Sequence, residues 1–162
     1  MKLRIQKITS LNLPAPSHAT PGAAGLDLRA ALHSTSFEAS KNVTPASDPS
    51  GLCSLVIPPG ARVLIPTGYA FEISDGYEGQ IRSRSGLAKR GLVAALGTID
   101  SDFRGELIVL LKNEGDRSLL VKRGDRIAQL IVAPVARCEI EVVASLSETT
   151  RGSGGFGSTG VN

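Results

Sequence analysis

Short apolar or alternating segments, each closed off by a tight-turn sequence, recur along nearly the whole chain. They are Leu26–Ala31, Arg62–Pro66, Tyr69–Ile73, Gly79–Ser83, Leu107–Leu111, Ser118–Val121, Ile127–Ala133 and Ile140–Val143. Between them stand Pro58-Pro59-Gly60, Thr67-Gly68, Asp75-Gly76, Glu114-Gly115-Asp116 and Arg123-Gly124-Asp125. Runs this short suit strands, because an extended chain needs only a few residues to cross a sheet and its side chains alternate between two faces. Glycine, proline and aspartate then supply the turns. Many short strands at this spacing predict an all-β sandwich or barrel. The one helical stretch is short, around Ser85–Arg90. Residues Leu32–Ser54, rich in Ser, Thr, Ala and Pro, read as a long surface loop or insertion.

At 162 residues the chain suffices for one domain with a real core. That core is aliphatic, since only four Phe, two Tyr and no Trp occur. Ile127, Leu130, Ile131 and Val132 form a run too apolar for a strand with one wet face. It predicts burial on both sides, within a sandwich or against another subunit. The net charge is only +3, and no basic run is interleaved with aromatics, which argues against a nucleic-acid surface. No apolar segment reaches membrane-spanning length and no signal-peptide pattern opens the chain, so a soluble cytoplasmic protein is expected. Cys53 and Cys138 lie far apart without metal-ligand spacing, as free thiols in a reducing compartment would.

The chain ends in a segment of different character. Five of the ten residues Arg151–Gly160 are glycine, so ordering it alone would cost backbone entropy with almost no apolar burial in return. It carries one arginine, one aromatic ring and three hydroxyls, a set suited to closing over a planar anion. This divides the chain into a β domain, residues 1–148, and a flexible arm, residues 149–162.

Four internal clusters could carry chemistry. Asp27 interrupts an apolar strand, either as a solvent-facing acid or as a carboxylate near a divalent metal. In Arg82–Arg90 a strand runs into the short helix. Ser83 or Ser85 can cap that helix, whose free N–H groups with Arg84 suit an anion. Gly97–Gly105 reads as a hairpin with Asp100, Ser101 and Asp102 near its tip. A partly sheltered Asp100 could orient a water as general base, though Asp and Ser are also ordinary turn residues. Gln129 puts an amide into an apolar strand, where it must find partners in the protein or in a ligand. No G-x-x-x-x-G-K-[ST] sequence occurs, and His18 and His33 lack metal or triad partners. What remains is water attacking an anionic substrate.

Taken in order, Ala24–Ala30, Arg84–Gly91, Gly97–Gly105, Gly124–Ile131 and Arg151–Gly160 resemble the five motifs of the homotrimeric dUTP pyrophosphatase (dUTPase) family. The resemblance implies a β-jelly-roll and a homotrimer whose sites lie between subunits, each closed by a neighbour's arm. It implies hydrolysis of dUTP to dUMP and diphosphate with Mg²⁺, which limits uracil in DNA and supplies dUMP for dTMP synthesis. Asp100 is then expected to orient the attacking water and contact the sugar 3′-hydroxyl. Asp27 is expected near the metal through its water shell. Arg84, Ser85 and Gly86 would hold phosphates with Gln129 nearby, and the backbone at Gly97, Thr98 and Ile99 would read the uracil edge. Phe103 would lie under the deoxyribose, Arg151 and Ser158 would meet the triphosphate, and Phe156, followed by Gly157, would stack over the base.

The chain departs from the family pattern in several places. Phe103 stands where tyrosine is usual, and Ser83 stands where proline often precedes the phosphate-binding arginine. Leu92–Leu96 lacks an asparagine that some members carry, and Leu32–Ser54 is longer than usual. Two other readings remain open: a dCTP deaminase of related fold, which needs a proton-shuttling glutamate such as Glu106, and a non-catalytic nucleotide-binding regulator.

Overall fold

The computed structural model describes residues 2–33, 39–40, 42–47 and 53–155. Its strands are β1 (Arg4–Lys7), β2 (Ser17–His18), β3 (Leu26–Arg29), β4 (Thr44–Ser47), β5 (Cys53–Ile57) and β6 (Arg62–Glu72). They continue with β7 (Tyr77–Arg82), β8 (Leu92–Ala94), β9 (Gly97–Ile99), β10 (Glu106–Asn113), β11 (Leu119–Lys122) and β12 (Arg126–Pro134), while helix α1 is Ser85–Ala88. Three antiparallel sheets result, in the orders β1-β6-β10-β8, β11-β5-β4 and β2-β3-β12-β7-β9. This is the expected all-β, jelly-roll-like architecture.

Alternation builds the core. In β10, Leu107, Val109, Leu111 and Asn113 point inward while Ile108 and Lys112 face out. Leu28, Ile57, Ile65, Val109, Leu111 and Leu130 are each 0% exposed, and among the described residues Tyr69 and Phe71 are the only aromatics buried with them in the core. Asn113 is a polar group at full burial that remains satisfied. Its Nδ2 donates to the carbonyls of Ile57 (2.8 Å) and Arg117 (2.7 Å), and its Oδ1 accepts from Gly115 N (3.0 Å).

Several expectations change. Thr67-Gly68 is not a turn between two strands but an irregularity within the single long strand β6. There the pairing with β10 shifts register and Gly68 has φ 77°. A Cβ at Gly68 would stand 2.4 Å from Thr9 Cγ2, so glycine serves both the backbone conformation and a close approach. The Leu32–Ser54 stretch is not wholly a surface loop. Leu32 and Ser54 are buried, and β4 pairs with β5 inside it. Residues 97–105 are not a hairpin: β9 pairs with β7, and β10 with β6 and β8, so the turn at 100–103 carries the chain from one sheet to another. Ile140–Val143 forms no strand. Ile140 and Val142 are 88% and 94% exposed, and an alternating sequence becomes a strand only where a second backbone completes its ladder. In β12, Ile127, Ala128 and Leu130 are buried, while Ile131 and Val132 are only half-buried.

Candidate active site

Four strands place one polar row across a sheet. Ser17 of β2 stands opposite Asp27 of β3, Asp27 opposite Gln129 of β12, and Gln129 opposite Arg82 of β7. Beyond Arg82 the chain turns into α1, and Arg84 reaches back to the row. Its Nε lies 3.1 Å from Asp27 Oδ1, and Arg126 Nη1 lies 3.0 Å from Asp27 Oδ2. The Asp27 side chain is 14% exposed, against 29% for Arg84 and 41% for Arg126. Arg84 Nη1 also donates to the Arg126 carbonyl (3.0 Å). One sheltered carboxylate thus braces two guanidiniums whose outer faces stay open to solvent. The group carries net positive charge and suits an anion.

Gln129 anchors this corner. Its Nε2 donates to the Ser83 carbonyl (3.1 Å), the residue just before Arg84. A Cβ at Gly25 would stand 2.7 Å from Gln129 Oε1 and 3.0 Å from its Cβ, so the amide lies over a glycine that leaves room for it. Neither serine caps the helix. Arg84 is the N-cap without a side-chain hydrogen bond. Ser83 Oγ instead bonds β8, donating to the Ala94 carbonyl (3.1 Å) and accepting from Ala94 N (2.9 Å). That pairing competes successfully because it ties two crossing strands together, and it leaves Ser85 and Gly86 on the surface beside Arg84.

The second group lies at the other end of β7. Ile99 pairs with Gly79 and Gly97 with Ile81, so Asp100 sits beyond the Gly79 end while Arg84 follows Arg82. At about 3.3 Å per residue Gly79 and Arg82 are about 10 Å apart along β7 before either loop begins. Asp100 is exposed here rather than partly sheltered, since among the described residues nothing folds over the turn. It opens onto a cleft of about 720 Å³ lined by Thr98, Asp100, Asp102, Arg104, Arg137 and eight of their neighbours along with Tyr77. The cleft contains five carboxylates, those of Glu72, Asp75, Glu78, Asp100 and Asp102, against the two guanidiniums of Arg104 and Arg137. Arg137 is already paired with Asp75 (2.9 Å). This end of one chain repels a polyphosphate, whereas the Arg84 end attracts one.

Of the sequence-predicted residues, Asp27, Arg84, Ser85, Gly86 and Gln129 therefore gather at one end and Asp100 and Phe103 lie beyond the other, with Gly97, Thr98 and Ile99 running between them opposite Ile81, Gln80 and Gly79. Arg151 belongs to neither. Its Nε donates to the Gly154 carbonyl (2.9 Å) in a local exposed turn. Phe156, Gly157 and Ser158 lie outside the described residues. Sequence reasoning passed over Arg126, although an acid in an apolar strand calls for a cationic partner. Among the described residues no group of three or more His, Cys, Asp or Glu could hold a metal ion, and no helix is long and apolar enough to cross a membrane.

Comparisons with known proteins show which family this fold and sequence belong to. The dUTPase family model matches residues 50–160. A deoxyuridine 5′-triphosphate nucleotidohydrolase of Anaplasma marginale (strain St. Maries) is 48% identical over 164 residues, covering 99% of each chain. One from Rhizobium meliloti (strain 1021) is 49% identical over 151 residues, 91% of this chain and 84% of that one. Among solved structures, the Staphylococcus bacteriophage 80alpha dUTPase with dUPNHPP matches with a TM-score of 0.76 at 26% identity, covering 99% of both chains. An asparagine mutant of the dUTPase from phage phi11 of S. aureus, with a coordinated structural Mg(II) ion, shares the fold at TM-score 0.72 and 22% identity over 91% of this chain and all of that one. With the family model spanning most of the chain and near-half identity end to end, the chain belongs to the dUTPase family.

Proposed function

We infer that the protein hydrolyses dUTP to dUMP and diphosphate, and that it does so as a homotrimer whose sites are shared between subunits. The observation that carries this reading is the separation just described. The phosphate-attracting group around Arg84 and the water-orienting candidate Asp100 sit at opposite ends of β7 in one chain. Two chains can bring one end of each together. The exposed Ile140, Val142 and Leu146, at 88%, 94% and 85%, support a neighbour covering the segment after β12.

In the assembled site, Arg84, the surface at Ser85 and Gly86, and Gln129 hold the triphosphate, joined by Arg151 and Ser158 from an arm. The backbone of Gly97, Thr98 and Ile99 reads the uracil edge, Phe103 lies beneath the deoxyribose, and Phe156 with Gly157 closes over the base. Asp100 accepts a proton from a water as its oxygen attacks the α-phosphorus. The α–β bridging bond breaks, and diphosphate leaves with the bond electrons. Positioning and charge neutralisation supply most of what phosphoryl chemistry asks of a protein.

Mg²⁺ fits this donor set as a substrate-borne ion. Both Asp27 oxygens already accept from arginines, so Asp27 suits a hydrogen bond from the ion's water shell rather than direct ligation. When bound, the ion would neutralise phosphate charge. The free thiols of Cys53 and Cys138 suit a reducing, cytoplasmic setting.

A diphosphate-release assay across dUTP, dCTP, dTTP and UTP with Mg²⁺ tests the reading. Release from dUTP alone supports it. Ammonia from dCTP without diphosphate would mark a deaminase, and tight dUTP binding without turnover would mark a regulator. The deaminase reading already meets an obstacle: the Glu106 carboxylate accepts from Gly68 N at 2.7 Å and is committed to the sheet.

A further inference from the structure

The Phe103 ring rests on the main chain two residues further on. A Cβ placed at Gly105 would stand 2.6 Å from Phe103 Cζ, 3.0 Å from Cε2 and 3.4 Å from Cε1. These atoms form the outer end of the ring, which therefore lies so close to Gly105 that the position admits only hydrogen. Phe103 is 43% exposed. Its backbone, by contrast, is held. Phe103 N donates to the Asp100 carbonyl (3.2 Å), and Arg104 Nη1 donates to the carbonyls of Ser101 (2.7 Å) and Phe103 (2.9 Å). The ring's remaining freedom is rotation about its own side-chain bonds, and Gly105 bounds that rotation from below.

We propose that Gly105 is a positioning residue for sugar selection. It leaves room for the outer end of the Phe103 ring, and a side chain there would push the ring away from the place where it meets the pentose. The proposal rests on the reading that Phe103 lies beneath the deoxyribose, and it deepens that reading by naming what aims the ring. Gly105 does not use the left-handed backbone region, so its main chain accepts alanine. The atoms a methyl group would strike belong to the free end of an exposed side chain. The contact therefore yields by ring movement rather than by backbone distortion. A tilted ring no longer walls off the space a ribose 2′-hydroxyl would enter, so discrimination between deoxyribose and ribose weakens while the fold survives.

The test is the ratio of kcat/KM for dUTP to that for UTP, measured on the full-length protein for Gly105→Ala, Phe103→Ala and the double variant. Thermal unfolding is followed alongside. Gly105→Ala is expected to unfold with the wild type and to lose about tenfold in the ratio, part of the roughly hundredfold by which an apolar pocket rejects an added hydroxyl. Phe103→Ala is expected to lower the ratio too. Adding Gly105→Ala to Phe103→Ala is expected to change nothing further, because a residue that acts only through the ring has no effect once the ring is gone. A folded Gly105→Ala protein with an unchanged ratio overturns the proposal, as does an effect that adds in full to that of Phe103→Ala. A Gly105→Ala protein that does not fold also overturns it, because the ring would then be immovable. If Phe103→Ala leaves the ratio unchanged while Gly105→Ala lowers it, the sugar contact itself is misassigned, and the proposal falls with it.

Discussion

Asp27→Asn separates two roles that one carboxylate could play. Asp27 holds Arg84 at 3.1 Å and Arg126 at 3.0 Å, with its side chain 14% exposed. Hydrogen bonds to a charged group contribute about 1.5–3 kcal/mol, and breaking a fully buried pair costs about 3–5 kcal/mol. The arginines here are 29% and 41% exposed and can rehydrate, and asparagine keeps the shape and one acceptor. The expected loss of stability is therefore about 1–2 kcal/mol, at the lower end of that range. Urea denaturation reads it as a lower midpoint with unchanged slope. For activity two effects oppose. Removing a negative charge beside the phosphates removes repulsion, so KM for dUTP should hold or fall. Freeing Arg84 from its brace loosens the charge that must meet the transition state, and about 2 kcal/mol there lowers kcat about 30-fold. The combination of lower kcat with unraised KM is the signature of a brace. A raised KM with wild-type kcat would refute the reasoning, and wild-type stability together with wild-type kinetics would make the two ion pairs incidental.

Asp100→Asn should lower kcat by about 10²–10⁴-fold while leaving dUTP binding largely intact, measured by titration under non-turnover conditions. Deleting residues 151–162 should leave the assembly folded by sedimentation and thermal melting but mostly inactive; a fully active truncation would remove Arg151 and its followers from the site. Asn113→Ala should destabilise the domain by about 2–4 kcal/mol, because it strands the buried Ile57 carbonyl and removes the partners of the part-buried Arg117 carbonyl and Gly115 N–H. Its effect should appear in the denaturation midpoint, with kcat unaltered in the folded protein.

The central strands were legible because their burial follows their alternation. β3, β7 and β10 lie where apolar residues recur at period two, and β12 lies in the long apolar run. β1 was not, because Arg4–Lys7 is exposed throughout and is held to β6 by backbone bonds that leave no apolar pattern. β9, three residues long, is similarly a strand by virtue of its β7 partner rather than its composition. The Gly68 irregularity looks like a turn in sequence because glycine serves both. At the site, the sequence named Asp27, Arg84 and Gln129 as polar residues in apolar surroundings, and the structure gathers them. It could not separate Asp100 from Arg84, since distance along β7 depends on how β9 is registered. It also missed Arg126, whose role exists only because β12 lies beside β3.

Subunit mixing tests most directly whether one chain supplies Asp100 and another the Arg84 group. Asp100→Asn and Arg84→Ala proteins, each inactive alone, are unfolded together in equal amounts and refolded. If every site draws the two residues from different subunits, random assembly restores about a quarter of wild-type diphosphate release from dUTP. A refolded mixture as inactive as its separate parents would mean that both residues must come from the same chain, and the shared-site account would be wrong.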